Sequence, residues 1–144
     1  MIVMKRAYDA ASESDGYRVL IDRLWPRGIS KTKARIDAWE KDIAPSPELR
    51  KWYGHDPAKW HEFQRRYVHE LRGASATKTL DELVRRARRG RVTLVYASRA
   101  GDISDAAVLT RLLNRRARAL MSRRHKPTRP ARAVRAARMK ARRG

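Results

Sequence analysis

Three stretches of the chain carry apolar residues in the short runs typical of strands. Ile2 to Met4 and Tyr17 to Ile21 flank a turn-rich segment, Asp9 to Gly16, and read as two strands. Val92 to Tyr96 (VTLVY) is entered through Gly90 and is nearly continuous in apolar and β-branched residues, which predicts a strand covered on both faces. Elsewhere the apolar positions follow the helical period. Ser46 before Pro47 and Asp56 before Pro57 each set an N-cap side chain ahead of a proline whose missing N–H costs nothing at the first helical position. Thr79 with Glu82 has capping-box spacing, and Asp102 with Asp105 nearly has it, so four helices are predicted from these starts. After Asp56, Trp60, Phe63, Tyr67 and Leu71 recur at threes and fours and should face the core. Leu80, Leu83, Val84 and Ala87 do the same in the next helix, as do Ala106, Leu109, Leu112 and Leu113 in the last. Strands, then helices, then a buried strand and a closing helix predict an α/β or α+β domain with a small, mostly parallel sheet flanked by helices. No internal repeat is visible.

Charge divides this picture in two. The 144 residues hold 36 Lys and Arg against 15 Asp and Glu, a formal charge of +21. Residues 115–144 contain 13 of the basic side chains and no acidic one, so they supply +13, while residues 1–114 carry +8. Every Trp, Tyr and Phe lies at or before Tyr96, and the last 30 residues offer only Leu120, Met121, Val134 and Met139 as bulk. So little apolar surface cannot offset ordering entropy, and Pro127 and Pro130 oppose one continuous helix. The reading is an α/β domain over residues 1–114 and an Arg/Ala-rich tail over residues 115–144, disordered alone or helical on binding. The boundary falls between about residue 114 and residue 122.

The excess of cations points to a polyanionic partner. From Ala131 to Arg143 the tail spaces Arg132, Arg135, Arg138 and Arg142 at threes and fours, one basic stripe if helical. With Arg115, Arg116, Arg118, Arg123, Arg124, Lys126, Arg129, Lys140 and Arg143, these cations predict contact with DNA or RNA through phosphates and without sequence preference. A tail that only aids solubility, or one that meets an acidic surface, is the alternative; a membrane helix would want bulkier apolar residues opposite the charges. Arg85, Arg86, Arg88, Arg89 and Arg91 form a second basic patch, solvated or continuous with the tail. No run approaches the ~20 apolar residues of a membrane-spanning helix. The start MIVMKRAYDAA lacks the apolar stretch of a secretory signal, and the chain has no cysteine. A cytoplasmic protein is expected, at the nucleoid if the tail works as predicted, with no cofactor and no metal.

Chemistry in the body gathers where ligands collect in open α/β sheets, outside the carboxyl ends of the strands. Arg23, Arg27 and Lys31 follow one strand, and Ser98 and Arg99 follow the other. With Gly28 and Gly101 allowing close backbone approach and helix starts at Ser30 and Asp102, they suit a phosphate or carboxylate. In the competing reading Arg23 and Arg27 pair with Asp22 or Asp37 and brace the turn. His55 and Asp56 with Ser98 as nucleophile is weaker, because no G-x-S-x-G elbow is present and Asp56 serves as an N-cap. His61 and His69, eight residues apart on one helix, are separated by about 12 Å and cannot readily share a metal ion. Trp25, Trp39, Trp52 and Trp60 could stack on bases, but a domain with one phenylalanine needs its tryptophans for the core.

The segments RLWPRG (Arg23 to Gly28), Asp37 and Trp39 of DAW, IAPS (Ile43 to Ser46), LRKW (Leu49 to Trp52) and GHDP (Gly54 to Pro57), in that order and spacing, resemble the YeaO-like bacterial proteins, domain of unknown function 488. The resemblance covers roughly residues 3–113. It implies the family's α/β fold and a cytoplasmic bacterial protein, and it implies no reaction. Related sequences usually follow the buried strand with YAAR and an Asp/Glu/His/Asn cluster. Here Tyr96, Ala97, Ser98 and Arg99 hold the first register, while the histidine falls on Ile103 and the two asparagines on Ser104 and Asp105. Chemistry needing that imidazole lacks its group in this chain. Two functions therefore stand side by side: a nucleic-acid binder acting through its tail, and an enzyme or small-molecule binder with an anion pocket at Arg23, Arg27 and Arg99.

Overall fold

The computed structural model describes residues 1–125. Along the chain lie β1 (Ile2–Arg6), β2 (Tyr17–Leu20), α1 (Lys31–Ala34), β3 (Ala38–Trp39), α2 (Pro47–Tyr53), α3 (Trp60–Glu70), α4 (Ala74–Ala87), β4 (Val92–Tyr96) and α5 (Asp105–His125). The four strands form one parallel sheet in the order β1-β4-β2-β3. β4 is central and buried along its whole length, as its apolar run predicts. Val92, Leu94 and Tyr96 join Ile2, Val19 and Ile21 on one face, under Phe63, Tyr67, Leu80, Leu83, Leu109 and Leu113 of the helices. Val95, Leu20 and Ala7 point the other way and are covered by Trp25, Ile29, Ile36 and Trp39. Each fully buried large side chain contributes on the order of 2 kcal/mol.

Local signals place most helix starts. Ser46 Oγ accepts from the Leu49 N–H at 3.2 Å, and Asp56 Oδ1 accepts from Ala58 at 3.0 Å, with Pro47 and Pro57 in the first turns. The expected cap at Thr79 is corrected: the N-cap of α4 is Gly73, six residues earlier. Thr79 is buried inside that helix, and its hydroxyl donates to the Asp42 carboxylate at 2.7 Å. Around Asp102 the chain makes a 3-10 turn, Gly101–Ile103, and Ser104 Oγ accepts from Ala107 at 3.3 Å as α5 starts.

The position expected to end the domain lies within α5, which runs on to His125. Its apolar stripe also continues, for Ala117 and Leu120 pack against the core four and seven residues after Leu113. Asn114 anchors the middle of the helix, accepting from the Ile2 N–H at 3.1 Å and donating to the Ile2 carbonyl at 2.7 Å. The expectation of a disordered tail otherwise concerns residues 126–144, which lie outside the described residues. Among the described residues no helix is long and apolar enough to cross a membrane.

One buried ion pair ties the sheet to the turn before it. Arg18 is 3% exposed; its guanidinium donates to Asp15 Oδ2 at 2.7 Å and to the Ala34 carbonyl at 3.0 Å. Burial alone would raise the Asp15 pKa, but bonds from the Ser12 N–H, Lys5 and Arg18 outweigh it and hold the carboxyl below its ordinary 3.8. Next to it, Gly16 (φ +65°) passes so close to the Arg91 carbonyl that a Cβ would lie 2.2 Å from the oxygen. Asp15→Ala should cost about 3 kcal/mol in urea unfolding, because it leaves a buried guanidinium unpaired. The wild-type contribution is full above pH 3.8 and is lost as the pH falls through the lowered native value, so the gap between the two proteins should narrow in acid.

Candidate functional site

Adjacent strands β2 and β4 send the chain to opposite faces of the sheet. After β2 it turns to the face covered by Trp25 and Trp39; after β4 it turns into α5 on the other. A crevice opens between the departing segments, as at any such switch point. Asp22 sits in it. Its Oδ2 accepts from the Ala97 N–H at 2.8 Å, and its carbonyl accepts from Trp39 Nε1 at 2.6 Å. The resulting cleft measures about 620 Å³ and is lined by residues that include Asp22, Arg23, Arg50, Lys51, Tyr53, His55, Ser98 and Asp105.

Its electrostatics centre on two carboxyls. Burial raises the pKa of Asp22, against the pull of the Ala97 N–H and the Arg50 charge. Asp105 is pushed further, to about 7, by burial first and then by Asp22; the Ala106 N–H and Arg50 pull it back only in part. Asp105 therefore titrates near neutrality, while Asp22 is raised above its ordinary range. Tyr53, on the wall, donates to the Ile103 carbonyl at 2.6 Å and stacks on Phe63 with centroids 4.1 Å apart. Arg23 Nε is buried without a partner among the described residues, while its terminal nitrogen reaches the Pro45 carbonyl at 3.4 Å.

Of the residues expected to bind an anion, Arg23 and Ser98 line this cleft; Arg27, Lys31 and Arg99 are exposed and outside its lining. Among the described residues neither Arg23 nor Arg27 forms an ion pair. Asp37 instead accepts from the Arg18 N–H at 2.8 Å, and the Arg27 carbonyl accepts from the Tyr8 hydroxyl at 3.1 Å. His55 is at the rim, Asp56 caps its turn, and Ser98 Oγ accepts from Ala100. His61 and His69 are exposed on α3, and no group of three His, Asp or Glu among the described residues could hold a metal ion. The tryptophans serve the fold: Trp25 and Trp39 meet edge to face at 5.5 Å, Trp60 packs on Phe63, and Trp52 lies under Arg66 at 4.2 Å.

Of the tail cations, Arg115, Arg116, Arg118 and Arg123 lie on α5, as does the backbone of Arg124. Lys126, Arg129, Arg132, Arg135, Arg138, Lys140, Arg142 and Arg143 lie outside the described residues. A larger, more open groove of about 1020 Å³ runs between α2 and α3, where Glu62 pairs with Arg65 and Arg66 and Glu70 accepts from the Ser46 hydroxyl. Sequence reasoning took Asp22 as a pairing partner and Asp105 as a cap and passed over Arg50. The one signal available was that Asp22 and Asp105 follow adjacent strand ends.

The family model described as "Inactive DUF488-N3 subclade" matches residues 1–132. An uncharacterised protein of Mycobacterium tuberculosis is 48% identical over 111 residues, 77% of this chain and 92% of that protein. The uncharacterised protein YeaO of Escherichia coli is 42% identical over 108 residues, 75% of this chain and 92% of its own length. No solved structure matches.

The carboxyl pair makes a prediction about stability. A native pKa near 7 against an ordinary 3.8 means that the folded state loses stability as the pH rises from about 4 to 7. Asp105→Asn should therefore be more stable than wild type at pH 8, by about 1 kcal/mol after allowing for the open cleft, with the advantage shrinking toward pH 5. Urea midpoints at the two pH values measure this, and an equal difference at both would refute it.

Proposed function

The chain belongs to the DUF488 family, in the subclade described as inactive, and from that premise we propose that it is a binding protein that holds DNA or RNA non-specifically through its basic C-terminal region. The observation carrying this reading is the outer face of α5. Arg111, Arg115 and Arg118 are exposed at spacings of four and three, and no acidic residue follows Asp105 in the sequence. Asn114 meets the first residue of β1, so the helix beyond it lies at the amino-terminal end of the sheet. The exposed cations Arg85, Arg88, Arg89 and Arg91 lie at that end too, where α4 leads into β4. The ion pairs available there are long, Arg116 to Asp81 at 3.8 Å and Arg86 to Glu82 at 3.9 Å, and such exposed pairs contribute little. Cations with few counter-charges release counterions when they meet phosphates, and this drives sequence-independent binding. Residues 126–144 extend the same composition. The reading places the protein in the cytoplasm, at the nucleoid or on RNA.

A second reading, capture of a small anionic ligand, is favoured by the unpartnered Arg23 Nε in the cleft and is taken further below.

Fluorescence anisotropy with random-sequence duplex and single strand at several salt concentrations tests the first reading. The full chain should bind with a log–log salt slope of about −5 or steeper, corresponding to ~6 phosphates. Replacing Arg111, Arg115 and Arg118 by alanine should lower affinity at least tenfold and flatten the slope by about 3. Absence of binding by the full chain near physiological salt would refute it.

A further inference from the structure

We propose that the cleft at the carboxyl ends of β2 and β4 binds a small phosphorylated polyol, its hydroxyls against Asp22, Asp105 and Arg23 and its phosphate at Arg50 and Lys51. The floor holds unused hydrogen-bonding groups of both kinds. Asp22 gives one oxygen to the Ala97 N–H at 2.8 Å and Asp105 gives one to Ala106 at 3.0 Å, and the second Asp22 oxygen has no donor among the described residues. Arg23, which lines the same cleft, has a buried Nε donor without a partner among the described residues. A buried donor left in this way calls for a partner, and a hydroxyl, which donates and accepts at once, can take the guanidinium N–H and give to a carboxylate.

The rim is chemically different. Arg50 and Lys51 are exposed and stand in the last turn of α2, and both line the same cleft. Two cations lining one cleft suit a phosphate. Such a bipolar cleft selects against simpler ligands: the floor carboxyls repel a bare anion, and Arg23, Arg50 and Lys51 repel a bare cation. Protonation of Asp105, whose pKa lies near 7, lowers the negative charge of the floor and eases its repulsion of a phosphate. Phe63 adds an apolar wall for the carbon side of a sugar, and about 620 Å³ is an ordinary volume for a small-molecule site. This site lies at the opposite end of the strands from the basic stripe of α5, so either proposal can fail without the other.

The test uses the full chain, labelled with nitrogen-15, at about 0.3 M salt, where the Debye length is short enough to weaken adsorption on the exposed cations. Glucose 6-phosphate, ribose 5-phosphate and glycerol 3-phosphate are titrated beside inorganic phosphate and glucose. At least one phosphorylated polyol should shift the Ala97, Ser98 and Ala106 amide signals along a saturating curve, at tenfold or more lower concentration than inorganic phosphate or glucose. Asp105→Asn should weaken that response at least tenfold with the remaining signals in place. Arg50→Ala, at an exposed position, should do the same and guards against a folding defect in the first variant. The proposal is overturned if no phosphorylated polyol moves these amides, or if inorganic phosphate moves them as readily and Asp105→Asn changes nothing.

Discussion

The bond from the Ala97 N–H to the Asp22 carboxylate spans the point where two neighbouring strands part company. A parallel sheet must send its crossovers out over its faces, and here the segments after β2 and β4 go to opposite ones. The last rung between these strands is the Ile21 N–H to the Val95 carbonyl at 3.1 Å, and the Asp22 side chain supplies the next one. The cleft is the space that divergence leaves. Its carboxyl pair, the Pro45 carbonyl beside Arg23 and the Ile103 carbonyl under Tyr53 are all placed by the same parting of the chain.

Two acid-containing clusters at opposite ends of the sheet show how similar groups come to differ. Asp15 is surrounded by Lys5, Arg18 and the Ser12 N–H, and its charge is compensated on every side. Asp105 has a neighbouring carboxyl in place of a matched cation, and its compensation is incomplete. The first arrangement fixes the turn before β2 and has nothing left to offer a ligand. The second titrates near neutrality and lies open to a cleft. Charge matching thus separates scaffold from site more clearly than residue type does.

The sheet was legible because its strands are marked by local composition, and VTLVY could be nothing but a covered strand. β3 escaped notice because two residues, Ala38 and Trp39, make no period; tertiary pairing with Val19 and Leu20 defines it. Thr79 misled because capping-box spacing also occurs inside helices, where a threonine can satisfy a distant carboxylate such as Asp42. α5 runs on past Asn114 because Ala117 and Leu120 continue an existing stripe and need only one side. At the site, arginines drew attention as anion ligands. What distinguishes Arg23 from Arg27 is burial, which depends on where Pro45 and Asp22 lie and is written in no short stretch of sequence.

Asn114 has a further effect through the strand it touches. β1 is an outer strand of the sheet, and the N–H and carbonyl of Ile2, which point away from β4, would otherwise be open to a strand of another molecule. The asparagine amide offers one donor and one acceptor in the place where such a strand would dock. At the other border β3 is only two residues long. The margin of β1 is thus blocked at its first residue by a side chain, and the margin at β3 is short, which limits the length of backbone that a second strand could pair with.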